Sequence, residues 1–528
     1  MNKKEKIKIF FHTNKKIIMI CLLIIFFTIL TIIIWKKWAD RDNNKKNFVV
    51  AMTCDITGLD PTEEKNITTS YGNFYFNLVH DKLFVKQDDE IIPQLLKNKP
   101  EKNGNLLKCE LKDNIFFHNG KKMTSDDVIF TIERGKRNKN NLWDEFESIT
   151  RIDDKNFQIQ LKNDNLWWDF PFEKLRILNK EAVENNETEG IKIGTGAYKL
   201  VNYSPNNKIV LELFSQYHEP DIFNNLSKIF KQFQIKISQD DNTNLQELEN
   251  EDIKVIHTYP LDKIQDLQQD IVKGRYQNIK ILEMPKASSN YIYFNKTKTP
   301  EKIRKIITQA LNIQQIIDDL NLPVRIAKSY INSKIIGYDD NINHHQPNIE
   351  EAKKGVSNLN QEEKKLTIGC TKSTPLIQKI IEQLKAVGFE ATLQEHDFPL
   401  LLESAKKGHN SPYNFIFLGE NFDMEYGHSS LEYYFLSNNN KSNFFNIDIE
   451  DEPHIEKKLV ELKTEKELTN YKEIISKIEK YLLEKHYFFP LEETNGYVLV
   501  NKQITQGFEI NKFNKFYNIN KIKIDNLK

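Results

Sequence analysis

Residues 191–201 read IKIGTGAYKLV. Gly194, Thr195 and Gly196, with Lys199 just behind, carry the ingredients of a loop that cradles phosphate. The spacing denies that chemistry. A phosphate loop ends in Gly-Lys-Ser/Thr at the mouth of a helix, and a dinucleotide site needs G-x-G-x-x-G there. Here Ala197–Val201 continue as a strand, so the glycines predict a chain crossing at which φ turns positive. Asp126 and Asp127 are adjacent carboxylates, but Thr124 stands three residues before Asp127, the spacing of a helix-capping box. His344 and His345 fall in a loop, INHHQPN, with no further ligand at metal spacing. Neither G-x-S-x-G nor H-E-x-x-H occurs, and no catalytic constellation, metal site or cofactor motif emerges. What remains is FIFLGENFD at 415–423. Its acids, Glu420 and Asp423, close an apolar run beside Phe422 and Tyr426. A carboxylate so placed is either a solvated loop residue or the counter-charge of a bound cation.

The elements that hold these groups are legible from periodicity. FVVAMT at 48–53 reads as a buried strand, and LLKCEL places Leu107, Cys109 and Leu111 on one face. MTSDDVIFTIERG is a helix capped at Thr124 and ended at Gly135. KIVLEL after Asn206-Asn207 is a hairpin arm. LTIGC is a strand. Pro375 then opens a helix with Ile377, Ile380, Ile381, Leu384 and Val387 at helical spacing, and Gly388 stops it. FEATLQE follows as a strand, which predicts a parallel strand–helix–strand unit. FFPLEE and GYVLVN read as two further strands.

The chain has 528 residues, too long for one core. Its 75 basic and 75 acidic side chains cancel, which argues against nucleic acid as a partner. A basic head at 1–16 precedes an uncharged apolar run, Ile17 to Trp35, close to the ~20 residues that span a bilayer. Lys36, Lys37 and Trp38 close it, and no small-residue cleavage site follows. The run predicts an uncleaved, single-pass anchor. Residues 36–47 are a tether, and the bulk of the chain lies on the extracellular face of the cell membrane. Cys54, Cys109 and Cys370 allow at most one disulfide and are read as buried free thiols.

Several stretches in order resemble the family 5 extracellular solute-binding proteins, the peptide receptors of ABC importers. They include LDP at 59–61, IFFHNGKKMTSDDVIFTIERG at 115–135, GTGAYKLVNYSPNNKIVLE at 194–212 and YIYFN at 291–295. RKIITQALNIQQII at 304–317, GYD at 337–339, EEAKKGV at 350–356, KAVGFEATLQEHDF at 385–398 and FFPL at 488–491 follow. The resemblance implies an α/β, two-lobed, periplasmic-binding-protein-like (type II) fold with an inserted third subdomain, and the apolar run at 17–35 adds one transmembrane helix before it. Lobe I would take residues 48–85, 193–285 and 495–528, the inserted subdomain 86–192, and lobe II 286–494. Gly194, Thr195 and Gly196 would form a crossover near the hinge. The resemblance also implies a monomeric receptor that traps a peptide between its lobes and hands it to a permease and its ATPase. The ligand's α-ammonium would meet the aspartate that follows a Gly-Trp strand end. Gly419 and Asp423 match that pattern, with Glu420, Asn421 and Phe422 completing the ligand-binding loop. Glu420 stands where the family has tryptophan, so a non-peptide ligand (a nickel chelate, haem or an oligosaccharide) stays open. So does an adhesin or chaperone that has lost uptake.

Overall fold

The computed structural model describes residues 47–506 and 522–524, together with Thr28 and Thr31. Excepted within that span are Thr68, Asp88, Asp89, Lys139, Asn140, Lys231, His344, 423–425 and 436–452. The expected membrane run at 17–35 lies outside the described residues apart from those two threonines. Among the described residues no helix is long and apolar enough to cross a membrane.

One 11-stranded sheet runs through the molecule. Its path goes from Glu390–Glu395 through Lys365–Cys370, Phe415–Asn421, Ile279–Phe294, Phe488–Asn501, Val255–Ile256, Phe48–Met52, Gln232–Ile237 and Lys208–Leu213 to Tyr198–Ser204. Two long antiparallel strands, Ile279–Phe294 and Phe488–Asn501, hold its halves together. Each serves two cores. Val498 and Val500 pack with Phe48, Tyr75 and Phe233 on one side of the molecule, whereas Phe489 and Leu491 pack with Ile307, Ile380 and Phe415 on the other. Between them the ladder breaks: Met284 opposes Gly496 and Ser288 opposes Thr494, so 285–287 stand against Asn495 alone. A bulge of this kind re-aims the strands and leaves local backbone unpaired. It marks the crossing between two lobes. FFPLEE and GYVLVN are therefore one strand and not two. Thr494-Asn495-Gly496 has turn composition, but its neighbours pair with the same partner strand on both sides.

The strand–helix–strand reading holds. Lys365–Cys370 and Glu390–Glu395 pair in parallel around the helix Pro375–Ala386, and Gly388 has φ +107° just past its end. A separate four-stranded sheet, with Glu101–Asn103, Leu106–Glu110, Asn156–Leu161 and Phe146–Arg151 in that spatial order, builds the inserted region. It packs under the helix Ser125–Arg137 around Leu107, Val128, Trp143 and Phe157. The capping box forms, with Thr124 N–H donating to Asp127 Oδ2 at 2.9 Å. Gly135 does not end this helix. It sits inside, because Trp143 packs where its Cβ would be.

Gly194 and Gly196 also differ from expectation, since neither has positive φ. Their lack of side chain has another cause. The helix Ser70–Val79 ends against them, and a Cβ would stand 2.0 Å from Val79 O at Gly194 and 2.5 Å from Leu78 O at Gly196. Gly196 N–H donates to Val79 O at 3.0 Å. His118, from the inserted region, completes the joint: its N–H donates to Gly194 O, and its Nε2 lies 2.9 Å from Gly196 O. The motif therefore fastens the inserted region to lobe I. The crossing between the lobes is the separate bulge at 285–287. All three described cysteines are free, but Cys54 is exposed, since it lies in the loop just beyond the strand Phe48–Met52.

Candidate functional site

In an open α/β sheet, ligands collect outside the carboxyl ends of the parallel strands, where helix N-termini and loops converge. Lobe II has one such set. Lys365–Cys370 pairs in parallel with Phe415–Asn421, and the register Ser288↔Asn421 brings their carboxyl ends to the crossing. Lobe I has another. Phe48–Met52 pairs in parallel with Gln232–Ile237 and Val255–Ile256. Ile256 opposes Leu499, and Tyr259 N–H donates to Tyr497 O, so this edge also turns toward the crossing. Both edges therefore lie at the crossing between the lobes.

The lobe I edge is hydroxyl-rich. Tyr71 Oη lies 2.7 Å from Thr53 Oγ1 and 3.3 Å from Thr258 Oγ1. Burial raises the Tyr71 phenol above its ordinary value, so it stays a neutral donor. Exposed Cys54 lies beside it.

The lobe II edge is built from two rows of residues crossing three adjacent strands. The first row is Gly419, Asn290 and Glu492. Asn290 Nδ2 donates to Glu492 Oε1 at 2.8 Å. Gly419 makes room for this pair, because a Cβ there would stand 2.5 Å from Asn290 Oδ1. A cavity of about 310 Å³ opens between this row, the loop after Cys370 and the start of the helix Pro375–Ala386. Thr374 caps that helix by accepting from Ile377 N–H at 3.3 Å. Lys372 stands exposed at the cavity mouth. Burial pushes the Glu492 carboxyl up to about 7, and the Asn290 bond offsets this only in part.

The second row is Glu420, Ser289 and Glu493, on the other face of the same strands. Glu420 Oε1 accepts from Ser430 Oγ at 2.7 Å. Glu493 accepts from Ser333 N–H at 2.7 Å and from Ser333 Oγ at 2.5 Å. Behind the row, Glu479 accepts from Ile331 N–H at 2.7 Å, and burial pushes its carboxyl up to about 8. All three acids lie close enough to oppose ionisation of the buried Tyr291 phenol, which burial already holds far above its ordinary value. The lobe II edge therefore concentrates carboxyl groups. Lys372 stands by the first row, and Arg325, opposite Glu493 in register, and Lys334 stand by the second.

The sequence-predicted residues divide among these places. Glu420 is half-buried in the second row, and Asn421 is exposed at the strand end. Phe422 turns inward: it is 5% exposed and meets Tyr330 edge-on at 6.1 Å between ring centres. Its N–H donates to Ala287 O in the bulge, so the loop is tied to the crossing. Asp423 lies outside the described residues. Gly194, Thr195 and Gly196 contribute no wall to the lobe II cavity and belong to the joint with the inserted region. Sequence reading missed Asn290, Lys372, Glu492 and Glu493. One signal existed: two consecutive acids in FFPLEE, a strand otherwise apolar enough to be buried on both faces.

Comparison with known proteins agrees with this architecture. Residues 90–442 match the family described as bacterial extracellular solute-binding proteins, family 5 Middle. A nickel-binding protein, NikA, of Staphylococcus aureus is 27% identical over 309 residues, 57% of this chain and 58% of that protein. The match thus spans little more than half of that relative. A dipeptide-binding protein of Escherichia coli is 23% identical over 385 residues, 64% of this chain and 69% of the relative. Among solved structures, the ABC transporter substrate-binding protein CtaP of Listeria monocytogenes superposes with a TM-score of 0.76. That likeness covers 91% of this chain and 99% of the other at 18% identity, and shows a shared fold.

Proposed function

The chain belongs to the bacterial extracellular solute-binding proteins of family 5, and from that premise we propose that it captures short peptides for an ABC importer. The peptide lies in the groove between the lobes, which close on it by hinge bending at the 285–287 bulge. The observation that carries this reading is the acid pair on one face of the lobe II edge, Glu420 and Glu493, on the outer two of three paired strands with Ser289 between them. Such an edge calls for a cationic ligand group, and every peptide with a free N-terminus has one. The dipeptide-binding relative supports the same class. Asp423, two residues past the strand Phe415–Asn421 in the sequence, is the partner we assign to the α-ammonium. Residues 17–35 hold the receptor at the outer face of the membrane, and a permease with its ATPase takes the ligand onward.

The test uses the full chain in detergent and calorimetry with trialanine. Removing one partner of a desolvated pair costs on the order of 3–5 kcal/mol. Asp423→Ala should thus weaken binding about a hundredfold or more. N-acetyl-trialanine should lose as much on the wild type, and the two losses should not add. Additive losses would move the ammonium site off Asp423, and no binding of either peptide would reject the peptide reading. Intact mass of the same preparation should retain residues 17–35; a chain starting between 36 and 48 would refute the anchor. A second reading, a metal chelate as ligand, is favoured by the match to the nickel-binding relative. Stoichiometric nickel in the protein as purified, with no peptide bound, would select it.

A further inference from the structure

We propose that Glu492 is a specificity residue that reads a basic side chain of the ligand, in the cavity between the lobe II strand ends and the helix Pro375–Ala386. The proposal rests on the peptide reading above. It concerns a contact other than the α-ammonium, because Glu492 faces the opposite side of the sheet from Glu420.

Three observations carry it. First, Glu492 lines the cavity yet is only 7% exposed. Asn290 holds its Oε1 at 2.8 Å, while its Oε2 is buried with no donor. A buried acceptor left unmatched costs stability and calls for a partner from outside the chain. Second, no cation within the described residues pairs with it. The charged or titratable groups on the elements around it are Lys372 at the mouth and the Cys370 thiol, which burial holds neutral. Arg325 and Glu493 lie one register step away on the sheet's other face, where Arg325 donates to Ser333. Third, the cavity wall mixes the apolar side chains Leu376, Ile377, Phe417 and Leu491 with the hydroxyl-bearing Thr371 and Thr374. Apolar surface beside a carboxyl group matches a lysine or arginine, whose methylene stem is apolar and whose tip is charged.

The free carboxyl, lifted by burial to about 7, must ionise to meet a cation. Binding below that pH therefore releases a proton, and affinity for a basic peptide rises with pH until about 7 and then levels.

The experiment compares Lys-Ala-Ala, Ala-Lys-Ala and Ala-Ala-Lys with the same peptides carrying norleucine in place of lysine, on the full chain by calorimetry. At one of the three positions lysine should bind at least about tenfold tighter than norleucine at pH 8. That advantage should shrink by about tenfold per pH unit below 7. Glu492→Gln keeps the shape and the Asn290 bond. It should abolish the advantage and its pH dependence, and leave norleucine peptides within about twofold of wild type. The wild-type comparison alone decides if that variant folds poorly. Peptides that bind with no lysine preference at any position, or a preference that survives Glu492→Gln, would overturn the role of Glu492 and leave the peptide reading standing. No binding of any peptide in the set overturns both.

Discussion

Glu479 shows how a single buried acid sets the response of this fold to pH. Its ordinary value is 4.5 and burial lifts it to about 8, so the folded chain keeps a proton that the unfolded chain has lost. Stability contributed by the neutral form is complete below about pH 4.5. It falls as pH rises toward 8, by at most about 1.4 kcal/mol per unit. Glu492 acts in the same direction up to about 7. Buried His80 and His428 oppose it at the acid end. Burial lowers both to about 3, so their neutral forms favour the fold above pH 6.5 and lose that advantage as pH falls. The difference between wild type and Glu479→Gln isolates the first effect, since glutamine still accepts from Ile331 N–H. Urea midpoints measured from pH 6.5 to 8, where the buried histidines are largely neutral in both states, should fall in the wild type and stay flatter in the variant. Parallel curves would mean that Glu479 is ionised in the folded chain.

Among the elements, the contact of the helix Ser70–Val79 with the GTG segment is the most sharply posed. The segment must pass under two carbonyl oxygens, and only glycine fits the space. Gly194→Ala and Gly196→Ala should each destabilise by about 1–3 kcal/mol or more, because backbone cannot rotate away as a side chain can. Chemical denaturation checks this. Unchanged midpoints in both would show that the helix end shifts freely. Gly135 is the same lesson in a helix, where glycine makes room for Trp143 in place of a stop. The joined strand Phe488–Asn501 is another, since two local strand signals merge once a single partner spans both.

At the scale of the whole molecule, the inserted region touches lobe II as well as lobe I. Trp167 stacks on His428 with ring centres 3.7 Å apart and joins the lobe II core. Asn165 Nδ2 donates to Lys463 O at 3.1 Å, and Lys466 pairs with Asp164 at 2.9 Å. This bridge is separate from the strands Ile279–Phe294 and Phe488–Asn501 and lands on the helix His428–Phe435. Lobe opening of the kind proposed above would break or bend it. Trp167→Ala should therefore cost about 3–5 kcal/mol of stability. It should also enlarge the ligand-free molecule in solution scattering. A loss of stability with no change in radius would confine Trp167 to a packing role.

Local signals in the chain determined much of this protein. Periodicity and capping placed the helix Ser125–Arg137, the parallel unit around Pro375–Ala386 and the hairpin at Asn206, because each depends on neighbours within a few residues. Ordered motifs also carried the family and, through it, the two-lobed architecture. The tertiary structure decided what needs distant partners. Gly194 is glycine because of Val79, and Gly419 because of Asn290. Phe422 is core because Tyr330 lies beneath it, although its sequence neighbour Asn421 is exposed. Glu492 became a candidate ligand contact only when Asn290, 202 positions earlier, was seen to hold one of its oxygens and leave the other free. Burial and unsatisfied hydrogen bonding are properties of assembled space, and no window along the chain contains them.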